Sequence, residues 1–190
     1  MNRDKGTLRR EMREARDSFF KTNGSLHQDL SAKVCSKLAE VIPQKSLCAS
    51  YRALGSELNP ETLMSLRPDC RFAFPKVDGE DLSFWQTNAT SRFAPGTFGV
   101  SEPVPETCEP VQLTNCDFIL VPALAFDRDG HRLGYGRGFY DRALTGVGGT
   151  KVGLAFKFQI QQESLPHESS DIAMNLVASE DFILQPLERT

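Results

Sequence analysis

The chain carries no apolar run long enough to enter a membrane: its longest, Phe118 to Phe126, is broken by Pro122 and falls far short of the roughly 20 residues that span a bilayer. Its first residues, among them Arg3, Asp4 and Lys5, lack the apolar stretch of a secretion signal, so a cytoplasmic location is expected. Cysteine is sparse. Cys35, Cys48, Cys70, Cys108 and Cys116 are odd in number and form no C-x-x-C pair, which argues against a complete disulfide framework and predicts reduced thiols. His27, His131 and His167 are too scattered in sequence to form a metal-ligand motif, and none is assigned a catalytic role. A net charge of -3 gives no general attraction to phosphate backbones, so no nucleic-acid partner is expected. Internal repeats, low-complexity tracts and the G-x-S-x-G elbow of many hydrolases are also lacking.

What is present suits one domain over residues 1–190, with 39% apolar residues to supply a core. Leu8, Met12, Ala15 and Phe19 recur at helical spacing, predicting an amphipathic helix over about 3–21, with Lys5, Arg9, Arg13 and Arg16 on a neighbouring face. Residues 1–16 hold six Lys or Arg against three acids, an excess suited to a small anion. A second helix runs from Ser25, its expected N-cap, through Leu26, Leu30, Val34 and Leu38 to Pro43. Ser46 to Tyr51 reads as a strand, followed by a loop carrying Glu57 and a helix start at Asn59-Pro60. Arg71 to Pro75 and Leu82 to Gln86 form an expected hairpin, and 91–110 is read as a long irregular loop containing Phe98 and Gly99. Further strands are predicted at Phe118 to Val121 and Lys151 to Phe156, with weaker strand-like pieces from Leu176 to Leu184. The alternation predicts an α/β class, a single layered domain with a mixed, partly parallel sheet flanked by helices, and sites beyond the strands' carboxyl ends.

The most informative stretch is Arg132-Leu133-Gly134-Tyr135-Gly136-Arg137-Gly138-Phe139-Tyr140-Asp141, three alternate glycines between a strand and a helix. Glycine permits close backbone approach, and N–H groups at a helix start attract anions, so phosphate is the expected guest, with a flexible turn the alternative. No Gly-Lys-Ser/Thr follows, and the spacing departs from G-x-G-x-x-G, so generic nucleotide loops do not account for it. Asp141, just inside the helix, suits either Mg²⁺ or favourable helix-terminal charge.

At this point the chain resembles the 5-formyltetrahydrofolate cyclo-ligase family, whose V-P-x-x-x-F-D strand end and R-L-G-x-G-x-G-[FY]-Y-D loop match Val121 to Asp127 and Arg132 to Asp141. The resemblance extends to Lys5-x-x-Leu8-Arg9, Tyr51 with Glu57, Phe98-Gly99-Val100, Val152 to Phe156, and Leu165-Pro166 before Asp171. It implies an ATP- and Mg²⁺-dependent enzyme that closes 5-formyltetrahydrofolate, with or without a polyglutamate tail, to the 5,10-methenyl form. Carried over residue by residue, it makes Lys5 and Arg9 phosphate ligands and completes the nucleotide site with Arg132, Gly134, Tyr135, Gly136, Arg137, Gly138, Phe139 and Tyr140. Lys5 and Arg132 become the charge-neutralising catalytic groups, while Asp141 and Asp171 become magnesium carboxylates. Glu57, Arg52, Phe98 and Tyr140 would line the folate pocket, the carboxylate meeting pterin N–H donors and the two rings packing on the folate. Asn175 stands where many relatives have an acid, and Arg52 where a smaller or apolar residue is usual.

The implied route activates the formyl oxygen by phosphorylation before N10 attacks, with no protein nucleophile. A monomer is the default. A non-catalytic folate- or nucleotide-binding protein, or an ATP-dependent enzyme for another small formyl or amide compound, are the alternatives.

Overall fold

The computed structural model describes residues 4–186. The strands are β1 (Leu47–Ala49), β2 (Arg71–Asp78), β3 (Asp81–Thr87), β4 (Phe93–Pro95), β5 (Ser101–Pro103), β6 (Glu109–Val111), β7 (Phe118–Pro122), β8 (Ala125–Asp127), β9 (Arg132–Leu133), β10 (Thr150–Leu154), β11 (Ile160–Gln161), β12 (Leu176–Ala178) and β13 (Ile183–Leu184). The α-helices are α1 (Lys5–Thr22), α2 (Gly24–Val41), α3 (Thr62–Leu66) and α4 (Phe139–Leu144).

Eight strands form the main sheet in the order β13-β12-β10-β7-β1-β2-β3-β6. Its middle, from β12 to β2, is parallel, and both edges are antiparallel. The chain leaves β1 toward β2 on one side and returns to β7 on the other, so the order reverses between β1 and β7. In open α/β sheets that reversal opens a crevice at the carboxyl ends of the two strands. Loops after Ala49 and Pro122 border that crevice.

Two apolar faces follow from the period of two along each strand. Cys48, Phe118, Leu120, Val152 and Leu154 pack with Val34, Cys35 and Leu38 of α2 and Leu63 of α3 on one face. Leu47, Ala49, Ile119, Val121 and Val177 meet Leu144 of α4 on the other. The predicted layered, partly parallel architecture is therefore the one observed.

Several local expectations differ from the structure. Helix α1 buries Leu8, Met12 and Arg16, whereas Ala15 is exposed, because a strict four-residue step carries the inward stripe onto an arginine. Its first turn is capped by Asp4, whose carboxylate accepts from the Thr7 N–H at 3.0 Å; residue 3, the expected start, lies outside the described residues. Helix α2 begins one residue before Ser25, with Asn23 as its N-cap, and it buries His27 and Ser31 while leaving Leu26 exposed. The segment read as irregular, 91–110, forms the β4–β5 ribbon and adds β6 to the sheet edge. Its glycines and prolines mark the ends of short strands.

Gly153 lies in β10 against a ring. A Cβ there would come within 2.3 Å of Phe126 Cε1, and Phe126 is fully buried. Overpacking of this kind costs about 1–3 kcal/mol, so Gly153→Ala should lower the unfolding free energy from urea titration by that amount and move the midpoint down; an unchanged midpoint would contradict the packing.

All five cysteines are free, with Cys35, Cys48 and Cys116 buried. Burial pushes the Cys48 thiol up to about 12 and those of Cys35 and Cys116 up to about 11. Thiolate is the reacting form, so a neutral-pH thiol titration of native protein should label at most Cys70 and Cys108, and all five after denaturation.

Candidate active site

A cavity of about 650 Å³ opens at the crevice between β1 and β7. The residues given a site role from the sequence line it: Lys5 and Arg9 from α1, Arg52 and Glu57 from the loop after β1, Phe98 from the tip of the β4–β5 ribbon, Arg132 through Asp141, and Asp171. These residues are widely separated along the chain, and the fold gathers them around one space.

The glycine loop is positioned by β8 and β9, which pair Phe126 with Arg132. Gly136 (φ +92°) and Gly138 (φ +69°) occupy left-handed backbone conformations that a side chain would strain, and they carry the chain out of β9 and into α4. Helix α4 has only six residues. Its dipole is correspondingly small, so side-chain cations supply most of the positive field expected here from the helix start.

Those cations are held from three sides. The Arg9 Nε donates to the Gly134 carbonyl at 3.0 Å, fixing the loop to α1. Lys5 donates to Glu168 at 2.9 Å and Asp171 at 3.1 Å. The Glu168 contact, foremost, raises the ammonium above its ordinary range. Burial works to raise the Asp171 carboxyl, but the Glu168 backbone N–H and Lys5 outweigh it and hold the group below the usual carboxylate range. Arg132 is buried and ion-pairs with Asp141. Among the described residues, its Nε is the buried side-chain polar atom with no hydrogen-bond partner. An unsatisfied donor of this kind is costly, and Arg132 lines the cavity, where an anion held against the guanidinium would offset that cost.

The opposite wall is aromatic and acidic. Glu57 is 5% exposed; its Oε2 accepts from the Leu54 N–H at 2.8 Å and its Oε1 from the Tyr135 hydroxyl at 2.6 Å. Burial, reinforced by the Glu57 charge, raises the phenols of both Tyr135 and Tyr140, so each remains a neutral donor. Phe98 has φ +60°, uncommon for a bulky residue, and its ring lies 4.1 Å from the Arg137 guanidinium carbon. Arg52 pairs with Glu61 at 2.6 Å and covers the Phe93 ring at 4.6 Å, so its charge is already engaged beside the cavity.

Three features escaped the sequence reading. Arg16 reaches this wall from α1, buried at 3% exposure and bonded to Ser56 and Tyr135. Only the 8–12–16 spacing hinted at it. His131 and His167 stack with centroids 3.7 Å apart, and Asp127, Asp129 and His131 lie close together. The Asp127 carboxylate accepts from the backbone N–H groups of Asp129, His131 and Leu165, so it braces the turn before the glycine loop. Asn175, a concern for metal binding in the sequence, does not line the cavity; its side chain accepts from the Lys151 N–H at 2.9 Å and ties β12 to β10.

A cationic glycine loop beside a buried carboxylate and aromatic rings, at the strand-order reversal of an α/β sheet, defines an enzyme-type pocket. The model of the 5-formyltetrahydrofolate cyclo-ligase family matches residues 1–180, and the chain belongs to that family. It is 33% identical over 144 residues to a 5-formyltetrahydrofolate cyclo-ligase of Mycolicibacterium smegmatis, covering 72% of this chain and 74% of the relative. The solved structure of Aquifex aeolicus 5,10-methenyltetrahydrofolate synthetase superposes with a TM-score of 0.83 at 31% identity, over 98% of this chain and 94% of that one. A 5,10-methenyltetrahydrofolate synthetase from Mycoplasma pneumoniae shares the fold, with a TM-score of 0.71 at 22% identity over 94% and 99% of the two chains.

Proposed function

We propose that this chain catalyses the ATP- and Mg²⁺-dependent conversion of 5-formyltetrahydrofolate to 5,10-methenyltetrahydrofolate, releasing ADP and phosphate. The observation that carries the proposal is the meeting, in one cavity, of the unpartnered Arg132 Nε with the buried Glu57 carboxylate across the glycine loop. One group suits phosphate oxygens, and the other suits the adjacent N–H donors of a pterin.

Lys5, Arg9 and Arg132 hold the polyphosphate, and Arg137 lies at the mouth. Asp141 and Asp171, with carboxylate oxygens of the kind Mg²⁺ prefers, fit that ion; it would take oxygens that Arg132 and Lys5 now hold. When bound, ATP supplies the phosphoryl group that converts the formyl oxygen into a leaving group, and Mg²⁺ offsets charge on it. Glu57 anchors the pterin, while Tyr140 and Phe98 pack on the folate rings and orient N10 toward the formyl carbon. N10 adds to that carbon and releases its proton to solvent, and the bond from that carbon to the former formyl oxygen breaks as phosphate leaves. The protein's contribution is alignment and charge neutralisation, with no side chain forming a covalent bond.

The chain acts as one domain and as a monomer on a soluble small molecule in the cytoplasm; among the described residues no helix is long and apolar enough to cross a membrane. The test is the absorbance of the methenyl product as purified protein meets 5-formyltetrahydrofolate and Mg-ATP, with ADP release measured in parallel. Product that requires ATP supports the proposal. Binding of both ligands without product would favour a non-catalytic binding protein, and ADP release with a different formyl or amide compound alone would reassign the substrate.

A further inference from the structure

Glu57 does not stand alone in the cavity wall. Its Oε1 accepts from Tyr135, and the Tyr135 oxygen in turn accepts from Arg16 Nη2 at 2.6 Å. The other two Arg16 nitrogens are engaged as well, Nε with Ser56 Oγ at 3.0 Å and Nη1 with the Ala123 carbonyl at 3.4 Å. The Ser56 hydroxyl donates in turn to the Asp17 carboxylate. Arg16 is 3% exposed and Glu57 5% exposed, so a cation and an anion lie in the same buried wall, joined through one neutral phenol rather than paired directly.

The chain of donors has a single sense. A guanidinium has no acceptor, so Arg16 must donate to Tyr135; an ionised carboxylate has no donor, so Tyr135 must donate to Glu57. This fixes the phenol rotor and, through it, the carboxylate plane. Direct pairing of Arg16 with Glu57 would bring the guanidinium fork onto both carboxylate oxygens and leave none facing the cavity. Interposing Tyr135 keeps the compensating charge close while occupying Glu57 Oε1 with one short bond, so lone pairs on both oxygens remain for a ligand. Tyr135 also lies between Gly134 and Gly136, so the residue that orients the acid is carried by the glycine loop itself.

We propose that Arg16 and Tyr135 are positioning residues for recognition of the folate ring: Arg16, acting through the Tyr135 hydroxyl, sets the orientation of the Glu57 carboxylate. The proposal rests on Glu57 being the pterin-binding group. Because the two residues act in series, their removal should not be additive, a pattern that distinguishes a relay from two independent wall residues.

The experiment is steady-state kinetics on wild type, Tyr135→Phe, Arg16→Lys and the double variant, varying 5-formyltetrahydrofolate and Mg-ATP separately, with a thermal melt of each. Tyr135→Phe removes one oxygen and keeps the ring, so it preserves the fold even where a change at the buried arginine does not. The expected result is a rise of about tenfold in the folate KM for each single variant, as loss of one hydrogen bond to a charged group gives. The double variant should also rise about tenfold, not a hundredfold, with the ATP KM moving less than threefold throughout. Multiplicative effects, parallel rises in both KM values, or an unmoved folate KM in Tyr135→Phe would each overturn the relay. Wild-type protein that forms no methenyl product with Mg-ATP would instead remove the functional reading beneath it, and would do so before any variant is compared.

Discussion

Arg132→Met should lower kcat by about 10²- to 10³-fold while leaving a folded protein, as removal of one preorganised charge from a phosphoryl-transfer site does. The reason for choosing this residue among the cavity's cations is its burial. Lys5 and Arg9 are partly exposed and already spend donors on Asp171, Glu168 and Gly134. Water screens such charges, and a neighbour can replace them. Arg132 is buried at the end of β9, with one nitrogen on Asp141 and its Nε without a partner. A charge in that position is screened weakly, so its field on a nearby phosphoryl group is strong. Methionine fills similar volume without the charge, and the Asp141 side chain, about one-third exposed, can be resolvated when its partner goes. Arg132→Lys restores the charge but not the planar fork, so it should recover only part of the rate. Initial rates of methenyl formation and the melting temperature, measured together, check the prediction. A Met variant within threefold of wild-type kcat would show that Arg132 is structural.

The fold was legible in sequence to the extent that it depends on local periodicity. Phe118 to Val121 and Lys151 to Phe156 became β7 and β10 because strands buried on both faces read as nearly continuous apolar runs. The hairpin of β2 and β3 was marked by Asp78-Gly79, and Gly79 adopts φ +60° in the turn. The ribbon of β4 and β5 was not legible, because its placement depends on partners outside the segment: the Phe93 ring meets Phe74 of β2 edge-on at 5.5 Å, and Glu102 pairs with Lys76 of β2 at 3.4 Å. The cavity's inventory was legible from the glycine loop and the residues that accompany it in the family. Its wiring was not. Arg16 read as part of a basic face beside the apolar stripe, and nothing local announces that Ser56, Ala123 and Tyr135 converge on it from three other segments. A buried arginine is recognisable only when all its acceptors are in place, since burial without them would be prohibitively costly.

Glu57→Gln is the second large-effect substitution, and its consequences follow from what an amide can and cannot do in this position. Leu54 and Tyr135 present two hydrogen donors to two carboxylate oxygens. Glutamine offers one oxygen and one NH₂ group, so one of those donors must face another donor, and the amide has to turn or draw back. A pterin edge that brings adjacent N–H groups meets the same mismatch, because it too needs two acceptors. The negative charge balanced against Arg16 through Tyr135 is lost at the same time. Removing one member of a buried, charge-assisted pair typically costs about 2–5 kcal/mol, so kcat/KM for 5-formyltetrahydrofolate should fall by roughly 30- to 5,000-fold. The nucleotide contacts proposed for Lys5, Arg9 and Arg132 do not involve Glu57, and ADP or ATP measured by calorimetry should bind within about twofold of wild type. The contrast is the informative part. A glutamine variant that loses nucleotide and folate binding equally has lost the shape of the cavity. One that retains nucleotide affinity while losing folate assigns the acidic wall to the ring and the cationic loop to phosphate.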